Sequence, residues 1–409
     1  MNSFNNPEYD WSLIELLVGQ RSIIDFSKLN INNKQDAINF VKIYGFDVEN
    51  ASDRRKIHAA IIEALNFIQI VLLNNKIDLY QLKMPSDILF CDNVIDLLLY
   101  ASFKSQQLIL YRLWACAILK VLHAIAHVEF TDKAINIKNA SEQIISRFRE
   151  HIYRDANGDL FLGFAEDKIT LDKIDFKYSK SRNSIILKLL HKPTNIVDTI
   201  YDYVGVRIVI KKLSDVFKLI QYLGKFYVIS YPNIISFRSK NNLIDYPRFK
   251  STFEMLKNMA DEGKIKSSDV EILLEKILIR KNPMDLNITN PYSSINYKSI
   301  QITCRELIKT KKLNENFINM VNILISKIKD DNSHDMPTNL LTSVLSFIDL
   351  HSEDKGMFFP FEVQILDTEA YEKVLQGDAS HENYKSVQIQ AVRRRILSEI
   401  LHINNINFK

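Results

Sequence analysis

Phe359-Pro-Phe-Glu-Val-Gln-Ile365 sets apolar side chains at Phe359, Phe361, Val363 and Ile365, with Glu362 and Gln364 between them. Side chains alternate across a strand, so this period of two predicts a strand over 357–366 with one face wholly apolar and Glu362 on an open side rather than in the core. Ser299-Ile-Gln-Ile-Thr-Cys-Arg305 repeats the pattern, with Ile300, Ile302 and Cys304 inward and Gln301, Thr303 and Arg305 outward. Two such strands side by side would present a polar working face. Further strand-like runs at 204–210 and 226–230 are interleaved with helical periodicity at 213–223, 249–262, 267–280, 313–330, 337–350 and 367–402, which reads as a mixed α/β half.

Upstream of about residue 150 the pattern is helical throughout. In Ile57-His-Ala-Ala-Ile-Ile-Glu-Ala-Leu-Asn-Phe-Ile-Gln-Ile-Val-Leu-Leu73 apolar residues recur at three and four, and similar segments cover 34–45, 83–101, 104–129 and 137–152. The character changes where Asn157-Gly158 falls between two short apolar runs, the strongest short-range hairpin signal. Asp155, Asn157, Asp159 and Glu166 have calcium-loop spacing, but Leu160 stands where that loop needs glycine, so a plain hairpin turn is the favoured reading. The expected fold class is therefore α+β. An N-terminal all-α domain of unknown role spans 1–150, and a mixed β-sheet flanked by helices spans 151–409, with helical insertions near 241–287 and 307–356.

The chain has 409 residues, 46% hydrophobic and 25% charged, a globular composition that excludes disordered and fibrous classes. A net charge of +4 is far from the concentrated positive charge of a dedicated duplex-DNA binder. Cys91, Cys116 and Cys304 are scattered, odd in number and without C-x-x-C spacing, so neither a disulfide framework nor a zinc site is expected. A reducing cytoplasm fits that usage. The N-terminal residues lack the basic region and apolar core of a signal peptide, and the apolar run 114–126, interrupted by Lys120 and His123, falls short of the roughly 20 residues that span a bilayer. It reads as a buried helix, and no membrane association is expected.

Lys177, Lys180, Arg182, Lys188 and Lys192 fall within sixteen residues, a density suited to a chain of phosphates whose charge must be offset before transfer. A solvated basic helix face is the commoner source of such density, so the spacing decides. Lys180-Ser181-Arg-Asn-Ser184-Ile185-Ile-Leu-Lys188-Leu189 resembles the substrate-binding segment of the RelA/SpoT alarmone synthetases. Tyr201-Asp202-Tyr-Val-Gly205-Val-Arg207-Ile208-Val209 is similar to that family's Asp-x-x-Gly-x-Arg-Ile-Val strand. Asn290-Pro-Tyr292-Ser-Ser294 resembles its Asn-Gly-Tyr-x-Ser element, Glu362-Val-Gln364-Ile365 its Glu-x-Gln-Ile strand, and His381-x-x-Tyr384-Lys385 its closing helix. The five elements stand in the family's order over about 175–390.

The resemblance implies a nucleotidyltransferase-like mixed sheet that moves pyrophosphate from ATP to the 3′-hydroxyl of GDP or GTP, giving ppGpp or pppGpp with Mg²⁺ as cofactor. By the same resemblance Asp202 and Glu362 are the catalytic, metal-holding acids. Lys180, Ser184, Lys188, Arg207, Tyr292, Ser294, Gln364, His381 and Lys385 are its nucleotide- and phosphate-binding residues, with Tyr292 stacking on the guanine. Taken singly, Arg207 reads equally as a strand-to-helix ion pair, Tyr292 as a turn residue and Asp202 as a helix cap. The chain departs from the family at Tyr178, Asn296 and Leu366, where the family carries cations. A 3′-hydroxyl of tRNA as acceptor and a non-catalytic nucleotide-binding regulator are the alternatives, and a homo-oligomeric state is left open.

Three further features read as structural. His123 and His127 are four apart in an apolar run without the glutamate of a metalloprotease, so packed histidines are expected. His334-Asp335 sits in a polar stretch without partner ligands, and no hydrolase activity is expected. Arg393-Arg394-Arg395 reads as a solvated helix face, with an RNA-binding patch as the sharper alternative.

Overall fold

The computed structural model describes residues 22–26, 28–134, 137–191, 200–279, 298–313, 352–376 and 381–406. Among the described residues, every regular element before Ile152 is helical: α1 (Lys34–Ile43), α2 (Ala51–Asn66), α3 (Ser86–Leu89), α4 (Val94–Tyr100), α5 (Ile109–Ala134) and α6 (Ile137–Arg149). Asparagine side chains start several of them. Asn33 accepts from the Asp36 amide at 2.9 Å, Asn50 from Ser52 at 2.8 Å and Asn93 from Ile95 at 3.0 Å, satisfying donors that a first turn leaves unpaired. The Asn93 cap explains why the single helix expected over 83–101 is two short ones. The apolar run 114–126 lies in α5, and Trp114, Ile118, Val121 and Ile125 are buried. The stretch Gln106–Glu129 is long and apolar enough to cross a membrane, and half of its most apolar window is packed inside the protein.

The remaining elements are β1 (Ile152–Arg154), β2 (Leu160–Leu162), β3 (Ile169–Lys177), α7 (Arg182–His191), β4 (Val204–Ile210), α8 (Asp215–Lys225), β5 (Lys240–Asn241), α9 (Tyr246–Asp261), α10 (Asp269–Ile279), β6 (Ile300–Leu313), β7 (Ser352–Asp367), α11 (Thr368–Gln376) and α12 (His381–Ile403). The protein is α+β, with a seven-stranded sheet in the order β1-β2-β3-β4-β7-β6-β5. Only β4 and β7 run parallel; the other neighbours are antiparallel.

The β1–β2 hairpin forms as its Asn157-Gly158 turn predicts. Asp155 Oδ1 accepts from the amides of Asn157 and Asp159, each at 3.0 Å, so this carboxylate is engaged by the turn itself. Strand β3 escaped the pattern reading because a bulge between Leu171 and Lys173 shifts its phase, so the alternation of Ile169 and Leu171 restarts at Ile174 and Phe176. The run 226–230 is no strand. α8 ends at Lys225, Tyr227 takes a left-handed conformation (φ 55°), and Val228 and Ile229 bury in the turn.

The insertion expected over 307–356 is also corrected at both ends. β6 and β7 stay paired from Ile300↔Ile365 to Leu313↔Ser352, so 307–313 and 352–356 are ladder, and the intervening residues lie outside the described ones. The basic run Lys309-Thr-Lys-Lys312 hides the strand period, whereas the backbone of Lys309 pairs with the Gln143 side chain through bonds of 2.8 and 3.1 Å. The excursion expected over 241–287 holds α9 and α10, which meet at Leu256, Val270 and Leu274. Its base is closed by Asn242 and Ser299, whose bonds of 3.1 and 2.7 Å join the end of β5 to the start of β6.

One continuous set of buried residues runs from Ile24 to Leu401. On the apolar face of the sheet Val204, Val206, Ile208, Phe359, Phe361, Val363 and Ile365 are buried, and Phe148 of α6 meets Phe361 edge-on at 6.3 Å. α12 returns onto the helices, where the Arg393 guanidinium donates to the Leu72 carbonyl at 2.6 Å. The expectation of a solvated arginine face is therefore corrected. Arg393 is buried, Arg395 pairs with Asp25 at 2.7 Å and donates to the Leu190 carbonyl at 2.7 Å, and only Arg394 is exposed. A helix packed on two sides needs partners for its long polar side chains, and backbone carbonyls at the ends of neighbouring helical segments supply them.

Candidate functional site

The parallel pairing of β4 with β7 decides the site. Gly205 lies opposite Glu362 and Arg207 opposite Gln364, so residues 157 positions apart in the chain share one polar face. β6 sets Thr303 against Glu362 and Gln301 against Gln364 on the other side, and β3 sets Asp175 against Arg207 and Lys177 against Gly205. This is the shared polar face expected from the alternation. Glu362 nevertheless does not look into open solvent: it is buried under its neighbours, because the Gln364 amide donates to it at 2.6 Å and the Gln301 amide also donates to it.

Asp202 sits just before β4, where Lys180, ahead of α7, and Lys188, within α7, converge on it. Lys180 donates to one carboxylate oxygen at 2.5 Å and Lys188 to the other at 2.7 Å. Asp202 is thus the counter-ion of two cations rather than a helix cap. Burial alone would raise its carboxyl, but the two ammonium groups outweigh that and hold it well below the usual carboxylate range. Burial lowers Lys180 to about 8, against the pull of Asp202. Glu362 moves the other way: burial, then the charge of Asp202, pushes its carboxyl above the ordinary value. Two acids of one site are held in opposite directions.

Arg207 makes no strand-to-helix ion pair among the described residues. Its guanidinium donates to Gln364 Oε1 at 3.1 and 3.2 Å, so Gln364 bridges Arg207 and Glu362. Ser184 lies one turn before Lys188 on α7, its hydroxyl 2.7 Å from that of Ser181. Asp202, Glu362, Lys180, Lys188, Arg207 and Gln364 are therefore brought together. His381 opens α12 and Lys385 lies within its first turns, and no hydrogen bond or ion pair among the described residues ties Lys385 to the acids. Tyr292 and Ser294, like Asn296 and His334, lie outside the described residues.

Two basic side chains join the group unforeseen. Lys240 on the edge strand β5, paired with Gln301, feels the charge of Glu362, and Arg238 places its guanidinium 4.9 Å from the centre of the Tyr201 ring. A two-residue strand has no readable period; only its basic side chains could have flagged it. At the departures from the family, the Arg149 guanidinium of α6 donates to the Tyr178 hydroxyl and lies 5.7 Å from its ring centre, so a cation stands beside position 178. Leu366 is fully buried, an apolar packing residue.

The remaining histidine pair is packed, as expected. His123 Nδ1 is 2.8 Å from the Tyr44 hydroxyl, its ring meets that of His127 at 4.5 Å, and burial, then His127, lowers it to about 4, keeping it neutral at pH 7. No family model matches this chain, and no curated protein matches it in sequence.

Proposed function

We propose that the polar face of β3, β4, β7 and β6 is the active site of a pyrophosphate transferase of the alarmone-synthetase kind, carrying the β,γ-diphosphate of ATP to the 3′-hydroxyl of GDP or GTP. The observation that carries this reading is the juxtaposition of Asp202, neutralised by Lys180 and Lys188, with Glu362, a buried acid whose carboxyl is raised above its ordinary value. The sheet is read accordingly as nucleotidyltransferase-like, and the protein as cytoplasmic.

Phosphoryl-type transfer needs positioning and charge neutralisation more than covalent help from the protein. Lys180, Lys188 and Arg207, with Lys177 and Lys240 beside them, supply positive charge along the face for a polyphosphate. Lys180 and Lys188 exchange Asp202 for phosphate oxygens when ATP arrives, which frees the Asp202 carboxylate. Magnesium typically takes one or two carboxylates and keeps substrate phosphates and waters, a demand that Asp202 and Glu362 fit. Asp202 and Glu362 would hold such an ion, and it would offset the charge of the phosphate chain.

Glu362, poised toward protonation, accepts the proton of the 3′-hydroxyl. The hydroxyl oxygen forms its bond to the β-phosphorus of ATP as the bond from that phosphorus to the α,β-bridging oxygen breaks, and AMP leaves. Gln364 holds Glu362 and Arg207 in one register throughout. The arginine run offered for RNA is mostly internal, which favours a free nucleotide over tRNA as acceptor.

The test is transfer from β-labelled ATP with magnesium to GDP, GTP or bulk tRNA, beside Asp202→Asn and Glu362→Gln proteins. Label on GDP or GTP, lost in both variants, supports the reading. Label on tRNA alone would move the assignment to the other acceptor, and no transfer with nucleotide binding intact would make the protein a nucleotide-binding regulator.

A further inference from the structure

The helical half contains a cavity of about 250 Å³ between α1, α2, α4 and α5, walled by Phe40, Tyr44, Ile57, Ala60 and Leu119 and carrying Lys120. Engineered apolar cavities of roughly 150 Å³ take up benzene, so by proportion this one admits about ten non-hydrogen atoms. Protein interiors are close-packed, and a void of this size forfeits dispersion contacts along its whole lining. The loss is recovered when a ligand fills the space.

The charges lining the cavity are not balanced. Glu63 pairs with Arg182 at 2.6 Å, Glu129 lies 3.5 Å from the same guanidinium, and Lys56 pairs with Asp53 at 2.9 Å. Lys120 has no hydrogen bond or ion pair among the described residues: Asp25 is held by Arg395 at 2.7 Å, and Glu399, which lines a small adjoining pocket with Lys120, acts on it through its field without pairing. Burial accordingly lowers the Lys120 ammonium from its ordinary value. A partly buried cation on an apolar wall, with no ion pair among the described residues, favours an anion beside it. The one other polar pair named on the wall, Tyr44 with His123, is neutral and satisfied.

We propose that this cavity binds a small amphipathic carboxylate, its chain between Phe40, Ile57 and Leu119 and its head group on Lys120. The site is separate from the polar face of the sheet and does not depend on the function proposed for it. Arg182, which also lines the cavity, lies in the first turn of α7, the helix that holds Lys188 against Asp202.

Octanoate, with ten non-hydrogen atoms, is the probe, titrated calorimetrically into the full chain beside octanol and octylamine. One octanoate per chain is expected to bind at least tenfold more tightly than octanol, with no binding of octylamine. Lys120→Met should lower octanoate affinity to that of octanol while leaving octanol unchanged, and Ala60→Phe should weaken both. Independently of any variant, a diazirine-bearing octanoate analogue should label peptides of α1, α2 and α5. No binding of octanoate, equal binding of the three probes, an unaltered octanoate affinity in folded Lys120→Met, or labelling confined to other elements would each overturn the proposal.

Discussion

Gln364 donates its side-chain amide to Glu362 at 2.6 Å while its carbonyl oxygen accepts from the Arg207 guanidinium at 3.1 Å. One amide thereby fixes an acid and a cation contributed by two parallel strands. Gln364→Leu should keep the fold and lower kcat by about 10²-fold, the size of effect that small misplacement of reacting groups produces. Steady-state assay with ATP varied checks this, and unchanged kcat in the variant would remove Gln364 from the site.

Asp202→Asn leaves the Lys180 and Lys188 ammonium groups facing each other across a neutral amide. Removing one member of a buried charge pair costs about 3–5 kcal/mol, and since Asp202 is 25% exposed the expected loss is nearer 2 kcal/mol. Urea unfolding measures it. Because the folded state holds this carboxyl below its ordinary value, the stability it contributes is present above that value and is lost as pH falls through the folded one. The gap between unmutated and variant protein should therefore narrow in acid.

Glu362 predicts the opposite sign. Its carboxyl is raised in the fold, so the folded state binds the extra proton and stability from this group is lost as pH rises past the ordinary glutamate value. Glu362→Gln should abolish transfer and yet stabilise the protein at pH 7 by about 1 kcal/mol, as relief of a functional site commonly does. Melting temperatures of both proteins should converge near pH 4 and separate as the pH rises; parallel curves would contradict the buried-acid assignment.

Burial lowers Lys180 to about 8, and in the proposed reaction its ammonium is the form that meets phosphate. kcat/KM for ATP, which reports the free enzyme, should fall as pH rises above about 8. Lys180→Arg, which keeps its charge, should move that alkaline limb upward.

Gly163 tests the frame beneath the site. It adopts φ +90°, and an added Cβ would come within 2.7 Å of both the Asp167 carbonyl oxygen and the Tyr222 ring. Gly163→Ala should cost at least about 2 kcal/mol in urea unfolding, since backbone conformation and contact both oppose it.

The elements whose period is unbroken, and the acids they carry, are legible in the order of residues alone. The alternation around Glu362 and within 204–210, the Asn157-Gly158 turn and the helical runs before Ile152 are local signals, written in residues a few positions apart. Which residues meet is set by the folded arrangement. That Lys180 and Lys188 share Asp202, that Gln364 bridges Arg207 to Glu362, and that Lys240 joins them all follow from strand order and register across long separations, which no local period encodes. The same holds for Arg393 and Arg395, whose surroundings are made by helices from the other end of the chain. A residue's burial and charge state belong to its neighbours in space, and those neighbours are fixed by packing.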